Sequence, residues 1–527
     1  MRLIIKQLTK ALFLISAAVL LIHCKKETGP VNIPDDNFLN ALLELGVDTD
    51  GDGLVSPDEA AIITSLDVGF QHITDLTGID AFINLENLNC PYNQLTSMDL
   101  SNNIALTELH CGMNRISSLN ITNNTTLQTL DCFYNQLTDL DISNNTALHY
   151  LSCDYNQLTS LDVTNNGALT HLYCGENLLA SLDVSENAAI QFLGCNQNLL
   201  TSLDVSRNYA LTELFCHGNQ LTSLDIPQYA SLELLNCYEN QLTSLDVSGM
   251  NDLKQLSCSH NQLTGLDVTN NEALTDLDCR ENQLSSLDVS HNKAIRALDC
   301  SHNLLTSLDV SNNTVLTWLE CSNNQLNSLD VTNSAALTDL YCGENQLASL
   351  DVSHNAILRG LHCDGNQLTT LDVTKNIVLR RLVCRQNKLT VLYVSENKIL
   401  DELQCGGNRL ANLDVTHNGA LLKLYCPENQ LTGLDVVNSS ALAELSCENN
   451  QLTGLDVTRN AALTDLYCGE NQLDSLDISN NLILRSVHLN DMPSLYKVCV
   501  WELPFPPEKV DVNTTNSPNV YYTTDCN

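Results

Sequence analysis

The chain has 527 residues, with 63 Asp and Glu against 24 Lys and Arg, so its net charge is −39. Such an acidic surface excludes nucleic acid and anionic lipid headgroups as charge-driven partners. Aromatics make up only 5%, and 19 of the 22 cysteines fall 21 residues apart from Cys90 to Cys468, which excludes a string of ordinary globular domains in favour of one repeated unit.

In chain order, the first segment is MRLIIKQLTKALFLISAAVLLIHC, with a basic start (Arg2, Lys6, Lys10) and an apolar run too short to span a bilayer. It is expected to be a secretory signal over residues 1–23. Its ending, LIHC, resembles the lipobox of bacterial lipoproteins. That resemblance implies lipidation of Cys24, a tether over 24–32, and a place in the bacterial envelope as an outer-membrane lipoprotein or cell-surface protein. His23 departs from the small residue usual there, and a plain cleaved signal is the alternative.

Residues 33–84 are expected to form an N-terminal cap. PDDNFLNALLELG has the apolar spacing of an amphipathic helix (Phe38, Leu42, Leu45), capped by Asp35 or Asp36. DTDGDGLVSPDE, residues 48–59, follows the pattern of an EF-hand-type calcium loop. Asp48, Asp50 and Asp52 stand at positions 1, 3 and 5, Gly53 at the tight turn, Leu54 at the carbonyl position, Ser56 at position 9 and Glu59 at position 12. The expected cofactor is a structural Ca2+ that staples the cap over the open end of the array.

From 85 to 489 the chain repeats the frame LxxLxCxxNxLxxLxIxxNxx, as in LTDLYCGENQLDSLDISNNLI at 463–483. Each half alternates inward and outward around L-x-C or L-D-V, the period of a strand, and 21 residues leave no room for a helix. A coil this small buries its apolar positions only against the next one. The frame resembles the leucine-rich repeat family, in its nested 10 plus 11 class (IRREKO). The resemblance implies a right-handed solenoid of about 20 coils, with a parallel sheet on one face and a second strand-like ladder on the other. The cysteines take the place of a third leucine and act as small hydrophobes. A straight column offers no tetrahedral metal cage, and parallel Cβ vectors disfavour disulfides within it. The repeat asparagines are expected to turn inward and bond turn backbone.

The two ladders differ in their outward residues. On the second, 17 of 19 positions from Asp99 to Asp477 are aspartate, broken only by Asn120 and Tyr393 and mostly flanked by Ser or Thr. On the first, no residue type prevails just before the cysteine, and Tyr173, Phe215, Tyr341, His362, Tyr425 and Tyr467 are the candidate partner-binding residues. Leucine-rich repeat proteins commonly bind ligands on this sheet, so the resemblance and the internal variability indicate the same face. Packing of these rings against one another is the competing reading. Residues 490–527 leave the period and are expected to form a C-terminal cap in which Cys499 pairs with Cys526. No nucleophile with a neighbouring base and no phosphate-binding loop is present. The expectation is a monomeric, non-enzymatic scaffold, lipid-anchored, that engages a protein or glycan. The alternative is an acidic surface that binds divalent cations or a periodic matrix.

Overall fold

The computed structural model describes residues 29–227 and 231–526, so the signal segment and Cys24 lie outside the described residues. The chain divides into two compact units, residues 1–211 and 212–527. Both are parallel β-solenoids with little helix, and together they carry about 22 coils.

The first unit opens with helix α1 (Asp36–Glu44), whose N-cap Asp35 accepts a hydrogen bond from Phe38 N at 3.0 Å. The second Asp35 oxygen accepts from Thr74 N at 2.7 Å and Thr74 Oγ1 at 2.6 Å, tying the cap helix to the first coil. Phe38, Ala41 and Leu42 fill the buried face of α1. Helix α2 (Pro57–Ala60) is a single turn held by a reciprocal capping box between Ser56 and Glu59. The first rung follows at Ser65–Asp67 and pairs in parallel with Asn87–Asn89. Five further rungs, ending at Phe192–Gly194, continue this sheet in register. The sheet therefore begins inside the segment expected to be the cap.

The second unit repeats the pattern from Glu213–Phe215 to Asp511–Asn513. Its strands are three residues long because only one side chain per strand points inward. In the coil around Asp339–Tyr341, Leu337, Leu340, Cys342, Leu347 and Val352 are fully buried, and each stacks on its equivalent one repeat away. All nineteen period cysteines are buried and none is in a disulfide. Desolvation pushes their thiols far above the ordinary range, Cys237 and Cys426 to about 12, so they pack as hydrophobes and not as thiolates.

The C-terminal segment continues the stacking. Ser486–His488 pairs with Asp511–Asn513, 25 residues on, and Ser475–Asp477 pairs with Lys497–Cys499, which pairs with Tyr521–Thr523. The longer coil accommodates WELPFPPEK, where Phe505 packs between Trp501 (5.2 Å) and Tyr522 (4.8 Å). Cys499 and Cys526 are joined by a disulfide, with Cα atoms 5.6 Å apart.

The two faces are bonded differently. The variable ladder is a continuous sheet within each unit, whereas the aspartate ladder is broken into short strand pairs, single bridges such as Asp309 to Asp330 and Asp435 to Asp456, and rungs such as Asp141 and Asp267 with no ladder pairing. The uniform sequence of the second ladder is thus not matched by a uniform hydrogen-bonded sheet.

Candidate functional site

Inward leucines force both neighbours of each variable-ladder leucine outward, so the face carries two columns of side chains. The column just before the cysteines holds the six sequence candidates, all of them half-buried. The column two residues earlier adds Tyr150, His171, Phe192 and Trp318, which sequence reading passed over although strict alternation gives them the same orientation.

These columns meet. In the first unit Tyr173 stacks on Phe192 with centroids 4.3 Å apart and tilts against Tyr150 at 5.5 Å, while His171 lies 6.1 Å from Tyr150. Gly194 keeps the patch open, because a Cβ there would stand 3.3 Å from the Phe192 ring. In the second unit Tyr341 lies between Trp318 at 6.0 Å and His362 at 4.6 Å. Burial lowers the His362 pKa, and its Nε2 is buried without a described partner. Tyr467 meets His488 edge-on at 4.7 Å. Tyr425 instead donates its hydroxyl to Glu444, whose other oxygen takes Lys423 Nζ at 2.7 Å. Burial and the Glu444 bond raise the Tyr425 pKa, whereas the Lys423 and Tyr425 bonds lower that of Glu444. Phe215 and Trp318 bound a depression of about 440 Å³ floored by small and polar residues, Ser257 and Ala297 among them.

The face is therefore a set of ring clusters pre-packed along the sheet, separated by charged stretches. Mutual packing of the rings, the competing reading, is what the structure shows for Tyr173, Tyr341 and Tyr467. That packing also fixes their rotamers, which lowers the entropy lost when a partner covers them.

The acidic loop is a second candidate. Carboxylate oxygens of Asp48, Asp50 and Asp52 all lie within 4.8 Å of one another. Gly51 (φ 77°) and Gly53 (φ 83°) supply the left-handed turns, and their N–H groups donate to the two oxygens of Asp48 at 2.7 and 2.8 Å. The Asp52 N–H bond lowers the Asp50 pKa, but the charges of Asp52, Glu59 and Asp48 act against it and the net shift is upward. Glu59 stands outside the three-carboxylate group. One of its oxygens accepts from Thr49 N and Oγ1 at 2.7 and 2.8 Å, the other from Ser56 N and Oγ at 2.8 and 2.9 Å. These bonds hold its pKa down at about 2. Crowded, mutually repelling carboxylate oxygens with Leu54 beside them fit a hard cation.

No family model matches the chain. Among solved structures, YopM from Yersinia enterocolitica is similar with a TM-score of 0.68 at 23% identity, covering 90% of this chain and 97% of that one. A leucine-rich repeat protein of Leptospira interrogans matches with a TM-score of 0.52 at 24% identity, covering 75% and 92% of the two chains. The fold is that of the leucine-rich repeat proteins. In sequence, the chain is 39% identical over 70 residues to Internalin J of Listeria monocytogenes, a match spanning 13% of this chain and 8% of the relative's length. The functional domain of that protein, which includes a cysteine ladder, aligns at 34% identity over 78% of this chain and 77% of its own, with a TM-score of 0.49. No described helix is long and apolar enough to cross a membrane.

Proposed function

We propose that the protein is a non-enzymatic, envelope-anchored binding scaffold that engages a protein or glycan through the variable ladder. The observation that carries this reading is the clustering of outward aromatics, Tyr150 with Tyr173 and Phe192, and Trp318 with Tyr341 and His362, on the one ladder whose outward residues diverge. The plant peptide hormone receptor RGFR1, which shares the fold with a TM-score of 0.70 at 20% identity, is solved in complex with RGF2. Surface exposure in a bacterial envelope and lipidation at Cys24 belong to the same proposal. Among the described residues, the aspartate ladder gathers no three carboxylates with oxygens within 4.8 Å, which weighs against a divalent-cation lattice.

Capture of partners from host or bacterial surface extracts by wild type and by the triple variant Tyr341→Ala, Tyr425→Ala, Tyr467→Ala tests the reading. Loss of about 2 kcal/mol or more of affinity, with the melting curve retained, supports it. Unchanged affinity of the triple variant overturns it. In the same proposal Ca2+ fills the Asp48, Asp50 and Asp52 site and tightens the cap. Ca2+ then raises Tm relative to chelator, and Asp52→Ala abolishes the difference.

A further inference from the structure

A cavity of about 1110 Å³, more than twice the volume of the depression beside Trp318, lies on the aspartate ladder of the second unit. It runs across four rungs, those of Asp414, Asp435, Asp456 and Asp477, and ends against the Cys499–Cys526 disulfide. Its floor is apolar. Leu413, Leu434 and Leu455 show 6%, 8% and 8% of their surface, whereas the leucines under the variable ladder show almost none. Its depth comes from Gly433 and Gly454, which replace the serine of TSLD, and a Cβ built on either meets nothing within 4 Å.

The carboxylates are held in a fixed pose. Asp414 Oδ1 accepts from Thr416 N at 3.0 Å and Oγ1 at 2.6 Å, and Asp456 Oδ1 accepts from Thr458 N at 2.9 Å and Oγ1 at 2.6 Å. Asp435 and Asp477 Oδ1 accept the backbone N–H two residues on, at 3.0 and 2.9 Å. In all four the second oxygen takes no hydrogen bond or ion pair from any described residue, and the four repeat along the groove at about 4.8 Å per rung. A groove with a leucine floor and a row of uncommitted carboxylate oxygens suits side chains with an apolar stem and a cationic head. The four rungs extend over about 14 Å, the reach of roughly four extended residues. The carboxylates form no three-oxygen cage among the described residues, so a chelated metal fits less well than a polymer bearing spaced cations.

We propose that this groove binds a short, extended, lysine- or arginine-rich peptide segment of a partner protein. The site lies on the ladder opposite the variable one and does not depend on the function proposed for that face. The test titrates labelled hexalysine with purified full-length protein near about 0.15 M salt, where surface charges act only over short range. Asp435→Asn with Asp456→Asn removes groove charges, and Gly454→Leu, with Gly433→Leu as a second plug, fills the groove without touching charge. Asp267→Asn with Asp288→Asn and Gly265→Leu make the same changes on the same ladder outside the cavity, Gly265 also having open space around its Cβ. Weakening of about tenfold or more by the groove variants, with less than about twofold change for the outside ones, is the expected result. Equal weakening by both aspartate pairs, full binding by both plugged variants, or no binding by wild type overturns the proposal.

Discussion

Each coil joins two half-repeats of nearly the same leucine pattern, and the ladders they build differ in what the outward and turn residues do to the backbone. In the variable half the sheet bonds run on past the strand, as where Cys342 N donates to His362 O at 2.8 Å. Asn345 then completes the turn, donating to Cys321 O at 3.0 Å, Cys342 O at 3.3 Å and Gly343 O at 3.1 Å, and accepting from Leu326 N at 2.9 Å. In the aspartate half, Asp351 Oδ1 takes Ser353 N at 2.9 Å, a local bond that competes with pairing across coils. Asn355 donates to Val331 O at 3.0 Å and Ser334 O at 2.8 Å, while its buried Oδ1 accepts nothing among the described residues. The ladder most regular in sequence is therefore the one less bound from coil to coil. Apart from Asp225, which is followed two residues on by Pro227 with no N–H to give, each described ladder aspartate is fixed by its own turn, and the divergent ladder tolerates divergence because its backbone and Asn column carry the coil.

The largest effect that would sharpen this contrast is expected at the asparagines. Asn345→Ala strands a buried N–H and shared carbonyls and is expected to cost about 3 kcal/mol or more, against about 1 to 2 kcal/mol for Asn355→Ala. Urea melts of the two variants measure it, and equal losses would mean that the two turns are equivalent.

An intermediate effect concerns acid. Hydrogen bonds from the residue two positions on, Thr332 for Asp330 and Ser353 for Asp351, hold these two carboxylates below their ordinary value of 3.8, at Asp330 against repulsion from Asp351. A depressed folded-state pKa contributes stability above the unfolded value and loses it as pH falls through the folded one. Tm is thus expected to hold down to about pH 4 and to decline below it. In the N-terminal cap Glu59 adds a loss spread from 4.5 down to about 2. A Tm that rises on acidification through this range would show that repulsion along the ladder dominates.

The smallest effect lies in the turns. Two residues after each cysteine the backbone is left-handed, as at Met113 (φ 55°), Glu344 (φ 49°) and Glu470 (φ 55°), while the turn after the aspartate strand has no such residue among those described. Gly218, Gly365 and Gly407 occupy the same position without strain. Glu344→Gly is expected to stabilise by up to about 1 kcal/mol, readable as a small rise in Tm.

Much of this was legible in the sequence because period, burial and turn chemistry agree at every coil. The 21-residue spacing of Cys90 to Cys468 set the register, and the inward Asn114 and Asn345 were recoverable from the need to satisfy turn backbone. Three things were not legible. The column of Tyr150 and Trp318 stands three residues before each cysteine and shares no motif position with it, although alternation places both neighbours of a leucine outward. The rungs at Ser65–Asp67 and Asp511–Asn513 lie beyond the cysteine series, and backbone pairing does not require the side chain that marked the period. The groove at Gly433 and Gly454 arises from missing atoms across several coils, which a motif read one coil at a time does not display.

The buried thiol column also sets a race. Before the coils stack, nineteen chemically equivalent cysteines hang from a flexible chain at one interval, and any two neighbours can close a loop of the same size. Thiol oxidation takes seconds to hours, whereas local chain closure takes well under a millisecond. In an oxidising compartment, a coil that docks promptly on its predecessor withdraws its thiol from that chemistry, and one that lingers offers it to the wrong partner. Growth by addition of adjacent coils keeps the number of exposed thiols small at any moment, so the order of assembly protects the register as much as the final packing does.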